Sequence, residues 1–375
     1  MSQVQGTTSE KFAGLVDHFE KTLASGADLG ASIAVFHHEE LVVDLWGGYR
    51  DEQRTVPWDR DTLVNVWSTT KTMTFLVALM LYDRGELDFN APVSRYWPEF
   101  AANGKEAIEV RHLMNHAAGL SGWQVSMPPE NLADWELATT LLAAQEPWWD
   151  DRTQTGYHAA TQGYLIGEVV RRITGTTIGQ YFKSEVADVL GVDFYIGLPE
   201  SEEHRVSVVI PPALEDFSND ASDSIRVRTL RNLNEVAVAP RERWWRAAEI
   251  PAANGHGNAL SVATVQQVVA NNGHVNGHRF FSEKTGDLVF QRQVGGIDHV
   301  LGVDMSFGLG YGLASSYVPV GPRSCFWGGF GGSLIMMDQE LGLTVAYMMN
   351  KMVVGLIGDT RGSEISLLAA VAATT

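Results

Sequence analysis

The sequence predicts an α/β fold joined to an all-α lobe: an antiparallel sheet built from both termini, flanked by helices, with a mainly helical segment inserted between them. Three observations predict it. Apolar runs of strand length lie near both ends of the chain, helical spacing fills the middle, and no repeat or low-complexity linker interrupts the sequence. A chain of 375 residues is long enough for one large core or two joined lobes. The expected division sets 1–85 with 290–375 as a discontinuous sheet domain and 86–289 as a mainly helical domain with active-site loops. A cleft between two such lobes is a natural place for a site.

Each element has its own signal. From Glu10 to Ala24, the residues Phe12, Leu15, Val16, Phe19 and Leu23 fall on one helical face. In "ASIAVFHHEELVVDLWGGYRD" two apolar runs flank a polar turn, which reads as an antiparallel hairpin. "TTKTMTFLVALMLYDRGELDFN" then reads as a mostly buried helix closed by Gly85, with Ser68 in its first turn. Helical spacing recurs over 109–117, 131–145, 161–174, 178–190 and 261–272, the last with Ser261 as its expected N-cap. The polar, tryptophan-rich stretch 200–250 is expected to form long loops rimming the site. "SCFWGGFGGSLIMMDQELGLTVAYMMNKM" returns to strands around the turn "DQELG", and "EISLLAAVAA" closes the chain as a helix.

Composition narrows the function. The chain is 45% hydrophobic and 19% charged, which reads as globular. Its 45 acidic against 27 basic side chains leave a net charge of −18, which argues against nucleic-acid binding. No cationic amphipathic stretch points to a membrane surface, and no run approaches the about 20 apolar residues of a membrane span. The single cysteine, Cys325, allows no internal disulfide and no cysteine-based zinc site. The N-terminus lacks a basic start followed by an apolar run, so a cytoplasmic protein is expected.

The chemistry gathers around "NVWSTTKTMTF". A serine hydroxyl is a weak nucleophile and needs a base within hydrogen-bond reach. On a helix, Lys71 lies one turn from Ser68 on the same face. The helix N-terminus adds positive potential, and the apolar Trp67, Met73 and Phe75 lower the lysine pKa by desolvation. Alone, Ser-x-x-Lys is a common chance pattern, and a serine at a helix start is usually just a cap. Two further stretches change the balance. Tyr157 stands just before the amphipathic run 161–174, where it can relay a proton. "CFWGGFGGSLIMMD" sets a glycine-dense turn at a strand edge, where backbone N–H groups can approach an oxyanion.

On these boxes the chain resembles the serine β-lactamase and penicillin-binding superfamily, and their order and separation resemble its class C branch. "VRHLMNHAAGLSG", "GYLIGEVVRRITG", "GNALSVATV" and "FGLGYGL" extend the resemblance over most of the chain. It departs at two boxes. The second is Tyr157-His158-Ala159, without the usual amide side chain; the third is Trp327-Gly328-Gly329, with an indole where the branch carries a cation. That pattern is similar to the family VIII carboxylesterases. The resemblance implies a β-lactamase/transpeptidase-like fold and cofactor-free hydrolysis of short-chain acyl esters, small molecules, through an acyl-serine. It implies Ser68 as nucleophile, Lys71 and Tyr157 as its proton path, and the backbone N–H groups of Ser68 and Phe330 as the oxyanion hole. Trp327, Gly328, Gly329, His158, Trp149 and Trp244 are its expected substrate contacts.

Several alternatives stay open. A β-lactamase or D-amino peptidase, an acyltransferase and a non-catalytic penicillin-recognition protein all fit the same scaffold. Lys284-Thr285-Gly286 spells the third box literally but lies before "FGLGYGL", and is expected to be a polar surface turn. His112 and His116 lack the glutamate of a zinc-protease helix and are expected to be structural. No Gly-x-Ser-x-Gly, P-loop or dinucleotide fingerprint occurs. The oligomeric state is not legible.

Overall fold

The computed structural model describes residues 4–213, 222–233 and 235–375. Its main sheet has nine antiparallel strands: β1 (Val4–Thr8), β2 (Gly30–His37), β3 (Glu40–Gly48), β4 (Val294–Ile297), β5 (Asp304–Phe307), β6 (Gly312–Leu313), β7 (Ser324–Gly328), β8 (Leu334–Asp338) and β9 (Leu343–Met349). They pair in the order β1-β3-β2-β9-β8-β7-β6-β5-β4, so the two ends of the chain meet where β2 lies beside β9. Every residue of β9 is buried, which is why its sequence is a continuous apolar run rather than an alternating one. The β2–β3 hairpin turns on His38 and Glu39, both with positive φ (48° and 68°), the twist that a two-residue hairpin turn demands.

The helices are α1 (Gly14–Ser25), α2 (Lys71–Asp83), α3 (Val110–Met114), α4 (Trp135–Ala144), α5 (Thr161–Thr174), α6 (Ile178–Phe182), α7 (Asp188–Leu190), α8 (Ile225–Arg231), α9 (Arg243–Ala247), α10 (Ala259–Ala270), α11 (Glu283–Val289) and α12 (Thr360–Thr374). A π-turn, Lys183–Ala187, joins α6 to α7, so the run expected over 178–190 is one interrupted helix. Helices α10 and α12 both pack on β9, and α1 packs against α12. Helix α2 is buried from Lys71 to Leu81 and touches α5, α6, α10 and α11. Such a helix has no polar face to give to water; it is the axle between sheet and helices. Among the described residues no helix is long and apolar enough to cross a membrane.

Some expectations need correction. Strand β1 was not foreseen, because "VQGTT" is a mostly exposed edge segment without an apolar alternation. Asn258, not Ser261, caps α10: its side chain accepts from the Ser261 N–H at 2.8 Å, and Ser261 lies inside the first turn. Lys284-Thr285-Gly286 is no surface turn but part of α11, capped by Ser282. The stretch 200–250 contains α8 and α9 rather than loops alone, and the part of that expectation on 214–221 and 234 lies outside the described residues.

Candidate active site

Ser68 sits in a 3-10 turn, Trp67–Thr70, that runs directly into α2. The residue before it, Trp67, has φ +50°, a left-handed conformation that costs a bulky residue about 1–3 kcal/mol. The surroundings over-determine the turn. Thr70 Oγ1 donates to Trp67 O at 2.5 Å, and Ser333 Oγ donates to Val66 O at 2.7 Å. Trp67 also packs edge-on against Phe330 and tilted against Trp245. The Ser68 side chain is thereby turned to the wall of a cavity of about 310 Å³.

Lys71 is buried, and its amine has four polar neighbours. The carbonyl oxygens of Ala159 and Ala252 accept from it at 2.7 and 2.9 Å; Ser68 Oγ and Tyr157 Oη stand 3.2 and 3.1 Å away. A neutral amine has two N–H bonds and one lone pair. The two carbonyls take the N–H bonds, which leaves the lone pair toward the two hydroxyls. Burial alone pushes the Lys71 pKa well below the ordinary lysine range, so the neutral form is the favoured one. Tyr157 Oη donates to Ser68 Oγ at 2.5 Å. Burial raises the Tyr157 pKa, with the Ser68 hydroxyl and the Trp327 indole opposing the rise and the Asp298 charge adding to it. The environment thus pushes the pair apart: burial favours the protonated phenol and the neutral amine.

Tyr157 is held from the backbone. Asp298 Oδ1 accepts from the N–H groups of Tyr157 (3.0 Å), Val300 (2.9 Å) and Leu301 (2.9 Å), tying the tyrosine loop to the segment between β4 and β5. On the other side, α5 presses against the strand of chain that supplies Ala252 O. A Cβ on Gly163 would lie 2.4 Å from Ala252 N, so only glycine permits that approach. Asp298 and the two carbonyls were not singled out in the sequence. A carbonyl belongs to every residue and carries no signal, and Asp298 stands in a loop with no motif.

The expected substrate contacts divide. Phe330 lines the cavity, and among the described residues no acceptor pairs with its N–H, whereas the flanking amides of Gly329 and Gly331 bond Ser333 O at 2.8 Å and Gly355 O at 2.9 Å. Gly328 and Gly329 do not line it. A Cβ on Gly328 would lie 2.4 Å from Ile357 C, and one on Gly329 2.6 Å from Val66 O. Gly329 lets the strand edge abut the Ser68 turn and Gly328 lets it abut the 357–358 segment; neither lines the cavity. Trp327 is fully buried behind Tyr157, stacked on His116 at 5.5 Å and tilted to Tyr157 at 5.6 Å, and it is not a cavity wall. Among the described residues its N–H has no partner at hydrogen-bond geometry, yet it is close enough to the phenolic oxygen to favour its anion.

His158 is also behind the wall. Its Nδ1 donates to Gly156 O at 2.6 Å and its Nε2 accepts from Leu120 N at 3.0 Å, which fixes a neutral ring; burial takes its pKa down to about 3. Trp149 packs on His158 and His299, away from the cavity. Of the pair at 244–245, Trp245 lines the cavity and donates to Asn65 Oδ1 at 2.9 Å, while Trp244 packs behind it. The expected contact was Trp244, but the ring in the cavity wall is that of its neighbour: adjacent side chains on a helix diverge by about 100°. His112 accepts from the Glu109 N–H, and His116 Nδ1 accepts from His158 N, so both histidines serve the scaffold. No cluster of three or more potential metal ligands occurs among the described residues.

A strained serine turn, a buried lysine and a tyrosine bridging them between sheet and helices define a serine acyl-transfer type of site. The chain belongs to the beta-lactamase family, whose model matches residues 15–365. It is similar to the esterase/beta-lactamase LipL of Mycobacterium tuberculosis, with 34% identity over 95% of this chain and 85% of that protein. The esterase EstB of Burkholderia gladioli is 26% identical over 91% of this chain and 90% of its own. The crystal structure of a family VIII carboxylesterase superposes with a TM-score of 0.91 at 37% identity, covering 98% of this chain and 99% of the other.

Proposed function

We propose that this protein is a serine carboxylesterase that hydrolyses short-chain acyl esters through an acyl-serine intermediate. The single observation that carries the reading is the Ser68–Lys71–Tyr157 triangle, with the amine buried and the tyrosine 2.5 Å from the serine oxygen. Ser68 Oγ attacks the ester carbonyl, and its proton passes to the Lys71–Tyr157 pair. Negative charge grows on the carbonyl oxygen, which is met by the backbone N–H groups of Ser68 and Phe330. Tyr157 gives a proton to the departing alkoxide and is reprotonated from Lys71. Water then attacks the acyl-enzyme by the same path in reverse, releasing the acid and restoring Ser68.

The names of the relatives support this choice: an esterase/beta-lactamase, an esterase and a family VIII carboxylesterase. So does the third box, where Trp327 leaves no cation for a lactam carboxylate. The proposal includes the division into a discontinuous sheet part, 1–85 with 290–375, and a helical part, 86–289. It also takes a small-molecule ester as partner and the cytoplasm as location. The test is a panel of p-nitrophenyl esters from acetate to dodecanoate, run beside nitrocefin and with an alcohol acceptor present. Turnover of the short esters well above nitrocefin is the expected result. A preference for nitrocefin, or acyl transfer to the alcohol outrunning hydrolysis, overturns it.

A further inference from the structure

The cavity beside Ser68 is walled mostly by apolar side chains, Leu132, Ile250 and Leu301 among them, with exposed Tyr317 and Val354 at its rim. One charged side chain stands in that wall among the described residues: Arg226. Its placement follows from α8. Arg226 and Leu230, four residues apart on α8, face the cavity from one side of the helix, and Leu233 joins them from the turn that follows it. The next arginine, Arg228, points elsewhere, over the Trp148 ring at 4.2 Å and 3.8 Å from an Asp223 oxygen.

Arg226 donates one N–H to Val300 O at 2.5 Å, and among the described residues no carboxylate pairs with it. A guanidinium has five N–H donors in a planar fork, so one carbonyl leaves most of them unused. Among the described residues no acidic side chain lines the cavity either. The wall therefore carries a local positive charge inside a molecule whose net charge is −18. A guanidinium beside apolar surface, with its fork unfilled, matches a planar carboxylate at the end of an apolar chain.

We propose that Arg226 is a specificity-determining residue of this site, and that its preferred substrates are esters carrying a carboxylate on an apolar chain, such as half-esters of dicarboxylic acids. The cation lost at Trp327 from the third box is thus supplied from a different wall, at a different place relative to Ser68. The inference rests on the esterase reading. The carboxylate can come from the acyl or from the alcohol part of the ester, and two probes separate these sources: mono-p-nitrophenyl adipate and 3-carboxy-4-nitrophenyl butyrate, each against p-nitrophenyl butyrate.

The readout is the ratio of kcat/KM for charged to neutral ester. Arg226→Gln is expected to lower that ratio about tenfold to a hundredfold for one of the two probes, the range of a lost charge-assisted contact. Arg226→Lys should recover part of it, and Arg226→Glu should reverse the charge preference in favour of butyrylcholine, a cationic ester. A ratio that stays within about twofold in Arg226→Gln for both probes overturns the inference. A purely structural Arg226, tethering α8 to the Val300 loop, would depress all three esters together and leave the ratio unmoved. If the wild type fails to hydrolyse p-nitrophenyl butyrate at all, the esterase reading falls; if it hydrolyses that ester without charge discrimination, only the Arg226 inference does.

Discussion

The two sides of the cleft use their residues differently. On the α2 side, the proposed chemistry resides in side chains: Ser68, Lys71 and Tyr157 point at one another within 3.2 Å. On the β7 side, the box Trp327-Gly328-Gly329 contributes no side chain to the cavity; what reaches it is the backbone and ring of Phe330. A side-chain motif announces its own role, since residue type is the function. A backbone motif announces only that something must come close. The glycines are there because Val66 and Ile357 occupy the space a Cβ would fill, and the indole is there to fill the volume behind Tyr157.

The strongest way to break this comparison is to test whether the α2 side works as one unit. Lys71→Ala and Tyr157→Phe are each expected to reduce kcat by about a hundredfold or more, and the double variant to be little worse than the worse single one. Fully multiplicative losses in a four-point cycle of ester hydrolysis would mean that one of the two is structural.

The pH profile follows from the same pair. Lys71 must be deprotonated to act, and burial lowers its pKa, so the rising limb of kcat/KM belongs well below the ordinary lysine range. Tyr157 must keep its proton, and burial raises its pKa, so the falling limb belongs above the ordinary phenol range. The expected profile is a broad plateau through neutrality. An alkaline inflection near 10 that vanishes in Tyr157→Phe would show the phenol to be unshifted.

On the β7 side, Gly329→Ala should push the strand edge off Val66 and shift the Phe330 amide. An expected drop in kcat of about tenfold to a hundredfold, with KM little changed, is the mark of a lost oxyanion donor. If KM rises and kcat holds, the strand edge binds substrate rather than the transition state. The smallest effect belongs to Trp327→Phe, which keeps a ring on His116 but removes the N–H near Tyr157. Less than a tenfold loss is expected, with an unchanged preference for acyl chain length. A changed chain-length preference would put the indole back against the substrate. Trp327→Lys is a poorer probe, because it buries an uncompensated charge among His116, Tyr157 and Phe307 at a cost of several kcal/mol.

The same contrast explains what was legible in the sequence. Elements with a strong period were readable: the 161–174 helix has its observed bounds, and the β2–β3 hairpin its two apolar runs. Elements without a period were not. Strand β1 is polar and exposed, and α8 is a short helix of seven residues, three of them arginines, in a charge-rich stretch. Within the site, Ser68, Lys71 and Tyr157 could be named because their types fit one chemistry at one spacing. Ala159 O and Ala252 O, which orient the Lys71 amine, could not be, since the long-range folding of α5 and the 250–254 segment alone brings them there. Trp245 was missed for Trp244 by one residue, a distinction that depends on helix phase and not on type.

The proposed chemistry depends most on acylation at Ser68 Oγ. Labelling the protein with a fluorophosphonate and mapping the adduct by peptide mass spectrometry tests this without any choice of substrate. A single adduct on Ser68, absent in a folded Ser68→Ala protein that has lost ester turnover by several orders of magnitude, is the predicted result. An adduct on any other serine, or full labelling of Ser68→Ala, would contradict it.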